Sequence, residues 1–252
     1  MQRHFSSSEE LCSYLAKETG DTCLLSFSMG KDSIAAWLQA RKFFKRVIPV
    51  YLYYIPGIQF IEKSLKYYER FLGEHIYRLP NPPSQRKLIE YIFQPPEHCA
   101  VIDQLGLEEW SYADTMDLVR DELDLWDAFC AVGVRAADSP MRRVAIIKHG
   151  PIHLENRTFQ AVYDWKKADL VREFRASGVK LPIDYRIWGR TWDGLDFRFL
   201  FWMKRYLPED YERVLEVFPL AELELKRMEY RYAYYERKGI PFERYNPERW
   251  AA

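Results

Sequence analysis

Residues 22–33 read Thr-Cys-Leu-Leu-Ser-Phe-Ser-Met-Gly-Lys-Asp-Ser, and the pattern changes twice inside them. Thr22 to Phe27 is an apolar, partly β-branched run of strand length. Ser28 to Asp32 is polar. From Ser33 to about Phe44, Ile34, Trp37, Leu38 and Arg41 recur at helical spacing. The stretch therefore predicts strand, loop, helix. Backbone N–H groups at a helix N-terminus, with the helix dipole behind them, favour an anion. Gly30 lets the backbone approach closely or take a positive φ. Ser28 and Ser33 offer hydroxyl donors, and Lys31 adds a positive point charge. The loop is not a Walker A loop, which needs a glycine where Leu25 stands and Ser or Thr where Asp32 stands.

Outward from this stretch the same alternation continues. Ser6 to Ser8 with Glu9 and Glu10 reads as the start of a short helix running to about Lys17. Val47 to Tyr54 reads as a second strand, Pro56-Gly57 as a turn, and Ile58 to Leu72 as a helix. His75 to Leu79 reads as a third strand, leading into a loop at Pro80 to Pro83. Strands and helices in this order predict right-handed βαβ units and a parallel, twisted sheet with helices on both faces. Ligands in such sheets sit at the carboxyl ends of the strands, where Ser28 to Ser33 lies. Ser84 to Phe93 and Tyr112 to Leu123 read as helices. Trp126 to Val134 reads as a strand followed by the turn-rich loop Gly133 to Pro140, and Arg142 and Arg143 come next. Phe159 to Val162 reads as a short strand, with Asp164-Trp165 opening a helix to about Ala176. From Phe197 onward only helices are expected, broken near Pro208 and Pro219.

The loop resembles the PP-loop of the N-type ATP pyrophosphatases, usually written Ser-Gly-Gly-Lys-Asp-Ser. Met29 is the mismatch. Three later segments are similar to the phosphoadenosine-phosphosulfate (PAPS) reductase family, which also includes the ATP sulfurylase catalytic subunit and FAD synthetase. They are Gly133-Val134-Arg135-Ala136-Ala137-Asp138-Ser139, the basic pair Arg142-Arg143, and Val162-Tyr163-Asp164-Trp165 with Asp169-Leu170. Ala161 stands where the last pattern has proline. The similarity covers roughly residues 20–190. It implies an adenine nucleotide alpha-hydrolase-like fold of the HUP type. It also implies use of ATP with Mg²⁺, and cleavage between the α- and β-phosphates that adenylylates an acceptor and releases pyrophosphate.

The resemblance gives Ser26, Ser28, Met29, Gly30, Lys31, Asp32 and Ser33 to nucleotide binding, with Arg135, Arg142 and Arg143 on the opposite rim. Lys31, Asp32 and Arg135 carry the catalytic assignment. Lys31 and Arg135 offset charge on the departing pyrophosphate, and Asp32 positions the loop or helps bind Mg²⁺. Read from residues alone, Arg135 is equally a surface arginine at a strand end, and Asp164-Trp165 is a helix start in which Asp caps and Trp packs. Departures also count. No cysteine follows Cys130, so the family's C-terminal cysteine chemistry is excluded, and Tyr53 to Gly57 lacks the Asp-Thr-Gly of relatives.

Composition bounds the rest. Lys+Arg and Asp+Glu are both 37, a balance that argues against a protein that mainly coats nucleic acid or anionic membrane. No run approaches the roughly 20 apolar residues of a membrane span, and the N-terminus lacks a signal-peptide core, so a soluble cytoplasmic protein is expected. Cys12, Cys23, Cys99 and Cys130 are scattered without a CxxC pair and read as buried thiols in a reducing compartment. No metal-ligand set is expected: His149 and His153 are separated by Gly150 and Pro151, and His98-Cys99 are only chain neighbours. Residues 1–195 read as the nucleotide-binding domain and residues 196–252 as an aromatic-rich helical extension. There Trp202, Tyr206, Tyr211, Tyr230, Tyr232, Tyr234 and Tyr235 alternate with Arg205, Arg227, Arg231 and Arg237. Such a surface stacks bases, or packs as a core or dimer face. Two further function classes stand beside the enzyme: a component of a nucleic-acid modification or defence system, and a non-catalytic nucleotide-sensing module.

Overall fold

The computed structural model describes residues 5–241. The helices are α1 (Ser8–Thr19), α2 (Lys31–Ala40), α3 (Gln59–Leu72), α4 (Pro82–Ile89), α5 (Pro96–Leu105), α6 (Tyr112–Glu122), α7 (Pro140–His149), α8 (Lys167–Ser177), α9 (Asp184–Trp188), α10 (Phe197–Tyr206), α11 (Pro208–Val217) and α12 (Leu223–Arg237). The strands are β1 (Thr22–Ser26), β2 (Arg46–Tyr53), β3 (Tyr77–Pro80), β4 (Cys130–Val132), β5 (Ile152–His153) and β6 (Thr158–Gln160). They form one sheet in the order β3-β2-β1-β4-β6-β5. β1 pairs parallel with β2 and β4, β4 pairs parallel with β6, and β5 is antiparallel to β6. The expected α/β architecture is therefore present, with β1 at its centre. Among the described residues no helix is long and apolar enough to cross a membrane.

The chain divides into two compact units that alternate along the sequence: residues 1–52, 65–79 and 111–181 form one, and residues 53–64, 80–110 and 182 onward the other. In the first unit the register aligns Leu24 with Ile48 on one side and with Cys130 on the other. These three, with Val50, pack against Met116 and Val119 of α6 on one sheet face. The alternation of a strand turns Cys23 and Leu25 to the opposite face, where α1, α2 and α8 pack. Phe27 and Tyr68 meet edge to face at 5.2 Å, and Trp37 lies 5.7 Å from Phe71. Both faces are thus covered, as buried parallel sheets require.

Several sequence expectations need correction. The strand expected over Trp126 to Val134 is paired only over Cys130–Val132. Residues 125–128 turn instead, and the carbonyl of Ala128 accepts a hydrogen bond from Arg120 Nε at 2.8 Å. Arg120 is itself fully buried, and also donates to Asp117 and to the carbonyl of Arg157. Asp164 does not open α8. It accepts hydrogen bonds from the backbone and hydroxyl of Ser8, while Asp169 caps α8 by accepting from Lys166 N at 2.8 Å. Trp165 packs as expected and is buried. Pro80 to Pro83 is not all loop, since α4 begins at Pro82, and α5, α7 and α9 lie where the sequence gives no helix.

The second unit holds an aromatic cluster. Phe60 lies 5.7 Å from Trp188 and 5.9 Å from Trp192, and Tyr54 lies 5.6 Å from Trp192. Asp210 of α11 accepts from the backbone N–H groups of Gln59 (2.5 Å) and Phe60 (3.3 Å) and so caps α3 from a distance. The C-terminal aromatics divide: Trp202 and Tyr211 are buried, whereas Tyr206, Tyr230 and Tyr234 are exposed. Residues 242–252 lie outside the described part of the chain.

Candidate phosphate-binding site

β1 ends at Ser26, half-buried and paired with Val50. The extended path continues one residue further, where Phe27 N donates to Val50 O at 2.9 Å. The chain then turns at Met29, whose φ of 58° lies in the left-handed region. Glycine enters that region without strain, whereas a side chain adds roughly 1 kcal/mol. Met29 is only 1 % exposed, and burying a side chain of its size returns roughly 2 kcal/mol. The residue that departs from the PP-loop pattern therefore follows a backbone path suited to the glycine usually found there.

Of the two uses expected of Gly30, close backbone approach or a positive φ, the second is not taken: Gly30 has φ −72° and is the N-cap of α2. A glycine brings no side chain to occupy the first turn, so an anion can approach the helix terminus. The turn is braced from within. Ser33 Oγ donates to Gly30 O at 3.0 Å and lies 3.3 Å from Ser28 Oγ. Ser28 is exposed and Ser33 buried.

Around this turn runs a chain of alternating charge. Lys31 Nζ is 2.6 Å from Asp32 Oδ2. Asp32 Oδ1 is 3.1 Å from Arg135 Nε, although the N–H is not aimed well enough for a hydrogen bond. Arg135 Nη2 donates to Asp138 Oδ1 at 2.5 Å, and Arg142 Nη1 donates to Asp138 Oδ2 at 2.8 Å. Arg135 is 7 % exposed along its side chain, so it is not a surface arginine. Arg143 is exposed and lies outside this chain of pairs. The late strand reaches the loop because of Gly133. A Cβ there would collide with the backbone carbonyl of Asp32 and lie 2.8 Å from Ser33 N.

Sequence reasoning placed Lys31, Asp32 and Arg135 in the site but did not pair Asp32 with Arg135. It also left Gly133 and Asp138 without roles. The only signal for them was the Gly-x-Arg-x-x-Asp spacing itself.

The remaining candidates have other partners. Cys99 Sγ donates to Pro95 O at 3.4 Å, and His98 Nδ1 lies 3.3 Å from Gln94 Oε1. Cys12, Cys23 and Cys130 are buried. Burial pushes the Cys12 and Cys130 thiols up to about 12, far from a reactive thiolate. Among the described residues no three His, Cys, Asp or Glu side chains gather as a metal site. Asp32 has Lys31 beside its Oδ2 and Arg135 beside its Oδ1.

No family model and no curated protein matches the sequence. Solved structures similar to the chain include an NH3-dependent NAD synthetase from Campylobacter jejuni in complex with the nitrate ion. It shares 13% identity over 87% of this chain and 92% of that one, with a TM-score of 0.42. The U34-tRNA thiolase NcsA from Methanococcus maripaludis, with its [4Fe-4S] cluster, shares 14% identity over 85% of this chain and 78% of that one, also with a TM-score of 0.42.

Proposed function

We propose that the chain binds ATP at the Ser28 to Ser33 turn and cleaves it between the α- and β-phosphates. A single observation carries this reading: a glycine-capped helix N-terminus directly after the central strand, with Lys31 beside it. The β- and γ-phosphates would lie against the first turn of α2 and the Ser28 and Ser33 hydroxyls. An acceptor oxygen would form a bond to the α-phosphorus as the bond to the bridging α–β oxygen breaks. The adenylyl group goes to the acceptor and pyrophosphate leaves. Negative charge builds on that leaving group, and Lys31 would offset it. Mg²⁺ enters as part of the nucleotide substrate, carried by its phosphates. The acceptor's proton passes to solvent, since no side chain here stands out as its base.

The test is incubation of the full chain with α-labelled ATP and Mg²⁺, with and without a panel of metabolites and nucleic acids. Pyrophosphate release should fall by about 10²-fold or more in Lys31→Ala, the scale of losing one transition-state donor. Equal release by the variant would sink the proposal. A second reading, a nucleotide sensor, draws support from the pairing of Lys31 with Asp32 and of Arg135 with Asp32 and Asp138. It expects saturable ATP binding with no pyrophosphate released under any panel condition.

A further inference from the structure

We infer that Asp138 is a positioning residue for this site, acting through Arg135 on the phosphate-binding turn; the inference rests on the nucleotide-binding reading above. Asp138 divides its two oxygens between two guanidinium groups, Arg135 at 2.5 Å and Arg142 at 2.8 Å. Its Oδ2 also accepts from the backbone N–H of Arg135 at 3.2 Å. It is therefore bound to both the backbone and the side chain of the residue it positions.

The geometry gives the direction of control. Arg135 has two carboxylate neighbours, but only the one at Asp138 is an aligned, charge-assisted hydrogen bond. A rigid guanidinium fork sits where its best bonds hold it. Asp138 thus fixes Arg135, Arg135 sits against Asp32, and Asp32 in turn holds Lys31. This order also explains how the turn accepts a polyphosphate. When Lys31 exchanges Asp32 for a phosphate oxygen, Asp32 keeps Arg135 as its counter-charge. Without Asp138, the guanidinium is free to swing, and the Asp32 carboxylate then faces the incoming phosphates less well compensated.

Charge alone argues the opposite way. Removing an anion near a polyanion site should tighten binding, so the sign of the effect separates positioning from bulk electrostatics. Calorimetric titration of the full chain with Mg²⁺-α,β-methylene-ATP, and separately with inorganic pyrophosphate, reads that sign. In Asp138→Asn the dissociation constant should rise by about tenfold or more, as when one partner of a buried charge pair is truncated. Asp138→Glu should restore it to within about threefold of the parent. Unchanged or tighter binding by Asp138→Asn with a parental melting midpoint overturns the inference. If that variant does not fold, Arg135→Lys replaces it. Lysine keeps the charge but cannot span two carboxylates, so unchanged affinity there overturns it equally. If the parent chain binds neither probe, the nucleotide reading itself falls and this inference goes with it.

Discussion

Met29 and Gly133 are two residues whose backbone surroundings decide what can stand in their places. Gly133 has the backbone of Asp32 against the position a Cβ would occupy. Gly133→Ala must therefore push β4 and the start of α2 apart. An overpacking cost of about 1–3 kcal/mol is expected, read as a lowered denaturant midpoint, together with weaker nucleotide binding. Met29→Gly is the converse case. It should relieve the strain at φ 58° but forfeit the buried side chain, so a small net loss of about 1 kcal/mol is expected. A loss several times larger would mean that the side chain, not the backbone path, is the residue's role. The strand, the turn and the helix around these residues were legible in the sequence because three signals coincide within residues 22–33. The Asp32–Arg135 pair was not, because nothing local links residues so far apart in the chain.

At the scale of elements, the helices that sequence periodicity found are those with a clear apolar face, such as α3 and α6. α7 escaped because Met141, Val144 and Ile147 are exposed, so its apolar residues mark no buried stripe. β4 was read too long for a related reason. The apolar run continues through Phe129, but Arg120 takes the Ala128 carbonyl that a longer ladder would have used. The cap on α3 was equally hidden, since Asp210 is supplied from α11. Asp210→Ala should remove the partner of two N–H groups and cost about 1–2 kcal/mol, measured by urea unfolding. Asp210→Asn, which keeps one acceptor oxygen, should cost less.

At the scale of the whole molecule, stability should carry an unusual pH dependence from Asp184. Burial raises its carboxyl from an ordinary 3.8 to about 6, against the opposing pull of backbone N–H groups, among them Trp192 N, which donates to its Oδ2 at 3.1 Å. The folded state thus holds this proton more tightly than the unfolded chain. Between about pH 4 and pH 6 the unfolded chain has released it first, so stability from this group falls as pH rises across that window. Its contribution is fully present below about pH 4 and gone above about pH 6. Asp184→Asn should flatten that segment of the stability curve and raise the melting midpoint at neutral pH by a few degrees. A variant curve that parallels the parent through the window would contradict the assignment.

The two compact units exchange the chain at 52/53, 64/65, 79/80, 110/111 and 181/182. A ribosome delivers the sequence in one direction only. The first unit gains its last segment when residue 181 emerges, whereas the second waits for residues from 182 onward. Its early pieces, including the start of α3 and the whole of α4 and α5, must leave the exit tunnel before Trp188, Trp192 and Asp210 exist to receive them. A nascent chain stalled near residue 181 would carry Tyr54 and Phe60 without those aromatic and carboxylate neighbours. Chaperone capture should therefore peak late in synthesis, and no single cut in the gene can release either unit whole.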